Sequence, residues 1–188
     1  MNPLSLSSLF SEYLDADDCK KLEQVGNYRS LKKKENVLRQ GYNNRDFIFI
    51  LKGMLRGYYI DDEGNEKDLF LPAENSIAGA PDSLLRNEIS IYNFEAIEET
   101  KIFFINIDEL ENIGYENPKI MRFYLIFLKK TLNTMIGRMQ DLIAEKPEKR
   151  YQNLHINRPD LVKNAKKKYL VNFIGITPNS LSRIRRKE

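Results

Sequence analysis

The spacing of hydrophobic positions changes along the chain, and each spacing predicts a different element. Over residues 1–26, Leu4, Leu6, Leu9 and Phe10 precede Asp15-Ala16-Asp17-Asp18, an acidic opening for a helix carrying Cys19, Leu22 and Val25. Packing is the role expected for Cys19. From Tyr28 to Ile107 the period shortens to runs of strand type separated by turns. Val37-Leu38 leads to the turn Gly41-Tyr42-Asn43-Asn44, and Phe47–Leu51 reads as a buried strand closed by Lys52-Gly53. Met54 to Ile60 alternates around Arg56 and Gly57. Asp61-Asp62-Glu63-Gly64-Asn65 is a hairpin turn, and Asp68–Leu71 returns. Residues 72–87 read as a loop. Ile91–Ile97 and Lys101–Ile105 are the last strands, and the set predicts a small antiparallel barrel or sandwich.

A third period begins at Asn117-Pro118, an N-cap followed by proline at the first helical position. Met121, Leu125, Leu128, Leu132, Met135, Met139 and Leu142 alternate in steps of four and three, an uninterrupted heptad seam. Ile120, Tyr124, Phe127 and Ile136 broaden the stripe. One side of the helix is therefore expected against the barrel and the seam against a second copy. Pro147 ends the helix and is expected to act as a hinge.

The last stretch reads as two short helices around a tight turn. Leu170 and Ile174 share a face, with Val171 beside them, and Gly175 can adopt the positive φ that ends a helix. Thr177 is a good N-cap with Pro178 after it. Leu181 and Ile184 point inward, while Asn179, Arg183 and Arg186, spaced i, i+4, i+7, share the opposite face. This is a helix-turn-helix pattern. Its outward residues carry suitable chemistry: Arg can bond two acceptors of guanine, Asn can pair with adenine, and Ser reaches either edge. The lysines ahead of the turn, with Arg185 and Lys187, suit phosphates. The expected DNA-contacting set is Thr177, Asn179, Ser180, Arg183, Arg186, Lys187, Lys167 and Lys168.

Charge sharpens this picture. The formal net charge is +3, but residues 146–188 hold twelve Lys/Arg against three Asp/Glu, leaving the first 145 residues at −6. An acidic body with a basic tail suits a polyanion-binding segment. The 188 residues contain one cysteine and one histidine, Cys19 and His155. That excludes an internal disulfide and a cysteine-bound iron–sulfur cluster, and leaves no histidine-rich metal site. No cofactor, haem or metal is expected. No apolar run approaches the roughly 18 residues of a membrane span, so a cytoplasmic protein without membrane contact is expected.

A small barrel with a Lys-Gly turn, then a long heptad helix, then a terminal helix-turn-helix resembles the Crp/Fnr family of bacterial transcription regulators. The resemblance rests chiefly on Phe47–Ile60 with its turn and on Tyr169–Arg185. It implies an α+β chain: a cyclic-nucleotide-binding-like jelly roll with N-terminal helices over 1–115, a dimerisation helix over 116–146, and a DNA-binding domain over 147–188. It further implies a homodimer on double-stranded DNA, an encounter with RNA polymerase and a small-molecule effector. In cyclic-AMP-binding members a Gly-Glu and a later Arg-Ser hold ribose and phosphate; here the corresponding pairs are Gly79-Ala80 and Ser90-Ile91. The family's purine-binding hydroxyls fall near Met135 and Ile136, both apolar. An effector pocket of Gly79, Ala80, Ser90, Ile91, Met135 and Ile136 is thus expected to reject cyclic AMP.

Arg183 matches the family's guanine-reading arginine, whereas Asn179 and Pro178 stand where many members carry Glu and Arg. The family's wing is expected to be missing, since 151–165 lack a hairpin signature and the sequence stops at Glu188. A competing reading is a ligand-binding or interaction module whose basic tail does not read DNA. An enzyme is not expected. There is no nucleophile–base pair or phosphate-cradling glycine loop, and a metal-bearing cupin barrel would need several histidines.

Overall fold

The computed structural model describes residues 5–186. Two short helices lead in, α1 (Leu6–Leu9) and α2 (Ala16–Val25). Asp15 starts α2 as an N-cap, its carboxylate accepting from the N–H groups of Asp17 and Asp18. Eight strands follow: β1 (Asn27–Leu31), β2 (Asn36–Leu38), β3 (Asp46–Lys52), β4 (Leu55–Ile60), β5 (Glu66–Phe70), β6 (Ser76–Ala78), β7 (Asn93–Ala96) and β8 (Thr100–Asn106). They form two antiparallel four-stranded sheets, in the orders β1-β8-β3-β6 and β2-β7-β4-β5. This is a jelly roll, which turns the alternation read in the sequence into two inner faces. Phe47 pairs with Ile105 and Phe49 with Phe103 in one sheet, while the β4–β5 hairpin closes with Ile60 opposite Glu66. Gly53, at φ +89°, makes the turn between β3 and β4.

The stretch expected to be a loop, 72–87, contains β6 and the short helix α3 (Pro81–Arg86). Three residues of strand are too few to show alternation, but Pro81 and Asp82 at the helix start were a readable signal. A second difference is α4 (Ile107–Glu116), which follows β8 without a break. Its Asn106 cap and its buried Ile107, Leu110 and Gly114 lie three and four apart, a helical spacing hidden behind the preceding strand.

The long helix α5 (Pro118–Ala144) begins on its Asn117 cap, as expected. Its first half buries Ile120, Phe123, Tyr124 and Phe127 in a core shared with α1, α2, β3, β8 and α4. Phe123 packs against Phe10, Phe49 and Phe127 with ring centroids 5.1, 5.2 and 4.9 Å away. Ile136, expected to help cover the barrel, instead lies 42% exposed, because the helix has by then run past the aromatic core. A second cluster, with Leu31, Leu38, Ile48, Ile50, Leu55, Phe94 and Ile102, fills the space between the sheets.

After α5 come α6 (Pro147–Asn157), α7 (Pro159–Asn164), α8 (Lys167–Phe173) and α9 (Pro178–Arg185). Residues 151–165 hold no strand, in line with the missing hairpin signature. Pro147 is the first residue of α6, so only residues 145 and 146 separate the two helices. The hinge expected there is spanned by other contacts. Met54, Leu71, Ala73 and Ile97 of the barrel share one hydrophobic cluster with Tyr151, Leu154, Leu161, Leu170, Leu181 and Ile184 of the tail.

Candidate nucleic-acid interface

Helix α8 ends as its sequence requires. The Ile176 N–H donates to Val171 O at 3.0 Å and the Gly175 N–H to Asn172 O at 3.1 Å, with Gly175 at φ +64°. This paired closure needs a residue in the left-handed region, hence glycine. Thr177 then caps α9: its hydroxyl accepts from the Ser180 N–H at 3.1 Å and meets Ser180 Oγ at 2.9 Å. Leu181 and Ile184 are buried, and Asn179, Arg183 and Arg186 are exposed. Among the described residues no protein group holds those three side chains. They are available to an outside partner.

The remaining expected contacts divide. Thr177 is exposed and Ser180 half-buried, but both hydroxyls already serve the cap. Lys167 and Lys168 are exposed on α8, and the Lys168 ammonium lies 4.8 Å from the Tyr169 ring centroid. Lys187 lies outside the described residues. The helix-turn-helix therefore presents amide and guanidinium groups from α9 and ammonium groups from α8, the two chemistries needed for bases and phosphates.

This helix pair is mounted on the barrel through groups that periodicity alone did not flag. Arg56, buried in β4, bonds Glu95 through Nε at 2.7 Å, and through one terminal nitrogen Glu66 at 2.7 Å and Asp68 at 3.1 Å. Its guanidinium carbon lies 3.9 Å from the Tyr58 ring centroid and 4.6 Å from that of Tyr169 on α8. Burial pushes the Asp68 carboxyl above its ordinary range, against the opposing pull of Arg56. Asn172 of α8 donates to Glu66 O at 2.6 Å, and Arg158 to Leu71 O at 3.3 Å. Arg138 and Arg150 reach the turn itself, donating to Phe173 O and Gly175 O. The signal was a guanidinium interrupting an apolar pattern, Arg56 beside Leu55 and Arg138 one residue before Met139. A charge at such a place must find buried partners.

The expected effector residues are spread. Gly79, Ala80 and Ser90 belong to the barrel wall, Ala80 and Ser90 being buried, whereas Ile91 is exposed. Between them the Asp82 carboxylate, itself buried, accepts from the Ile91 N–H at 3.1 Å and pairs with Arg86. Met135 and Ile136 lie exposed on α5. A cleft of about 750 Å³ opens elsewhere, between α4 and α5, lined among others by Tyr115, Met121, Arg122, Tyr124, Leu125 and Lys129. The seam residues Leu125, Leu132, Met135, Met139 and Leu142 are exposed, and Met121 and Leu128 are half-buried.

Comparison with known proteins bears on this architecture. Residues 28–116 match the family model of the cyclic nucleotide-binding domain. No curated protein sequence matches the chain. Among solved structures, FixK2 from Bradyrhizobium japonicum superposes with a TM-score of 0.71 at 15% identity, over 87% of this chain and 84% of that one. The c-di-GMP-responsive global regulator CLP of Xanthomonas campestris gives 0.72 at 15% identity, over 92% and 91%. A Crp/Fnr-family regulator from Eubacterium rectale gives 0.69 at 14% identity, over 95% and 85%. Residues 28–116 thus match the cyclic nucleotide-binding domain, and the chain as a whole has the fold of these solved transcription regulators.

Proposed function

We propose that the chain is a DNA-binding transcription regulator, acting as a homodimer on a near-palindromic operator. The observation that carries this reading is α9, with Leu181 and Ile184 buried beneath it and Asn179, Arg183 and Arg186 exposed above. Arg183 reads guanine and Asn179 adenine; Lys167 and Lys168 take phosphates. The exposed seam on α5 supports a second copy, because an apolar stripe of that length is costly to leave in water. Two copies would present two α9 helices to successive major grooves, roughly 34 Å apart. The regulators named above share the fold, which supports the same use here.

The effector of this regulator is not cyclic AMP. In place of the guanidinium that would neutralise a cyclic phosphate there is Ser90, and the neighbouring buried Asp82 carboxylate already takes up the nearby Arg86 guanidinium. Burying a phosphate beside it would cost several kcal/mol.

Selection from a randomised duplex pool at two salt concentrations tests the reading, with and without cyclic AMP. A two-fold-symmetric motif unchanged by cyclic AMP is expected. Arg183→Ala should then cost about 1–3 kcal/mol on that motif and relax its preference at one position per half-site. Salt-sensitive binding without any motif, or equal loss on random DNA, would reduce the tail to an electrostatic patch.

A further inference from the structure

Arg138 lies on α5, in the half whose long apolar side chains face solvent, yet its guanidinium is half-buried and bonded through all three nitrogens. Nε and one terminal nitrogen donate to Phe173 O at 3.0 and 2.7 Å, and the other terminal nitrogen donates to Leu69 O at 2.9 Å. Phe173 O is one of the carbonyls at the end of α8, where a helix carries partial negative charge and lacks intrahelical donors. The Phe173 ring itself sits 4.3 Å from the guanidinium carbon. One side chain of α5 thus joins the barrel, at β5, to the last turn of α8. A planar fork addresses the two carbonyls from separate nitrogens in fixed directions, whereas an ammonium would have to converge both bonds on one nitrogen at the end of a flexible stem.

The turn that follows is closed by Gly175 and capped by Thr177, so the direction of α9 is inherited from the end of α8. Next to it, Leu142 of α5 would meet a Cβ on Gly175 at 3.1 Å, and Arg150 donates to Gly175 O at 3.2 Å. The recognition helix is therefore referenced to α5 at its base. We propose that Arg138 is a positioning residue for DNA reading: its three-way bond fixes the attitude of α8–α9 to α5 and the barrel. Through two copies this sets the separation of half-sites the protein accepts. This rests on the dimeric DNA-reading function proposed above, and the test separates the two.

The full-length chain is compared with Arg138→Met, which keeps an unbranched stem without donors, and Arg138→Lys, which keeps the charge without the fork. Without DNA, amide hydrogen exchange over residues 167–176 should accelerate roughly tenfold in the Met variant while β3 and β8 stay unchanged. Unchanged exchange in 167–176 overturns the proposal. With DNA, the selected half-site is placed as inverted pairs whose separation grows one base pair at a time. The natural chain should show one optimum, and both variants a flattened profile with the same base preference inside each half. An optimum of unchanged position and sharpness in the Met variant overturns the proposal. Full recovery by Lys also overturns it, because charge alone would then suffice. Should the Met variant fail to fold, the Lys variant decides by the same two readouts. A natural chain that selects no symmetric motif overturns the dimeric DNA reading instead, and the exchange experiment still decides whether Arg138 holds the tail.

Discussion

The two halves of α5 are made of similar residues and live in different surroundings. From Ile120 to Phe127 the helix puts aromatic rings into a core with Phe10, Phe47 and Phe49, and Phe123 is 1% exposed. From Leu132 to Leu142 it carries an equally apolar stripe into solvent, with Leu132 58% and Met139 55% exposed. The two stripes are different faces of the helix: the heptad seam runs beside the core stripe through both halves, with Leu125 41% exposed in the first half, while the core face turns polar after Phe127, at Thr131, Thr134 and Arg138. The difference lies in the partner. The chain covers the face of Ile120, Phe123, Tyr124 and Phe127 over the first turns of a 27-residue helix, and leaves the seam beside it uncovered. An apolar face is core where the chain supplies the cover, and where it does not it is the face on which the proposed second copy would sit.

The first half should fail by unfolding. Phe123→Ala removes a ring that packs with four others, of Phe10, Tyr13, Phe49 and Phe127, and leaves a cavity among rigid neighbours. A loss of about 3–5 kcal/mol is expected in urea unfolding, with a lowered midpoint and an unchanged slope. A loss under about 1 kcal/mol would mean that the aromatic cluster relaxes into the gap, and the contrast between the halves would weaken.

The second half should fail by dissociation instead. Leu132→Glu places a charge in the seam and should weaken self-association by about 3 kcal/mol, since the carboxylate has no partner there. Folding of the isolated chain should change by no more than about 0.5 kcal/mol, because the side chain is already in water. Sedimentation at several concentrations, with unfolding followed at the lowest, separates the two effects. A dimer of unaltered affinity would show that the second copy meets some other face.

The comparison also explains what could be read from the sequence. The helix-turn-helix was legible because each of its signals is local: Gly175 for the turn, Thr177-Pro178 for the next start, Leu181 and Ile184 for the inner face. The strands from Phe47 to Phe70 were legible through alternation and a strong hairpin turn. By contrast, β6 and α3 were lost in one apparent loop, and α4 was hidden behind β8, since short elements give too few periods to show a pattern. The mounting of the tail was the least legible part. Arg56 bonds residues 10, 12 and 39 positions away, and Arg138 reaches carbonyls 35 and 69 positions away. Such pairings depend on topology, and neither spacing nor composition encodes them directly. The two-fold use of α5 is half legible: the stripe is written in the heptads, the point where the barrel ends is not.

The smallest expected effect concerns how the buried half of α5 is tied down at its start. Lys119 donates to Asp15 at 2.7 Å, and Asn117 donates to Asp18 at 2.6 Å, linking the first turn of α5 to that of α2. The Lys119 ammonium, helped by the Asp18 backbone N–H, holds the Asp15 carboxyl down at about 2. Its folded pKa is thus below the ordinary value near 4 of an unfolded aspartate, so ionised Asp15 favours the folded state. That contribution is complete above roughly pH 5 and is lost as pH falls from about 4 through about 2. Asp15→Asn keeps an acceptor for the cap and removes only the charge. The melting temperature of the natural chain should therefore exceed that of the variant by a small, constant margin near neutral pH, and the two curves should converge between about pH 4 and 2. Because Asp15 is exposed, salt should shrink the margin as well. The seam half of α5 is tied elsewhere, through Arg138 to Leu69 O and Phe173 O, so self-association measured over the same acid range should not follow the Asp15 titration. A margin that survived to pH 2, or a dimer constant that tracked it, would show that the two halves of the helix are coupled rather than independent.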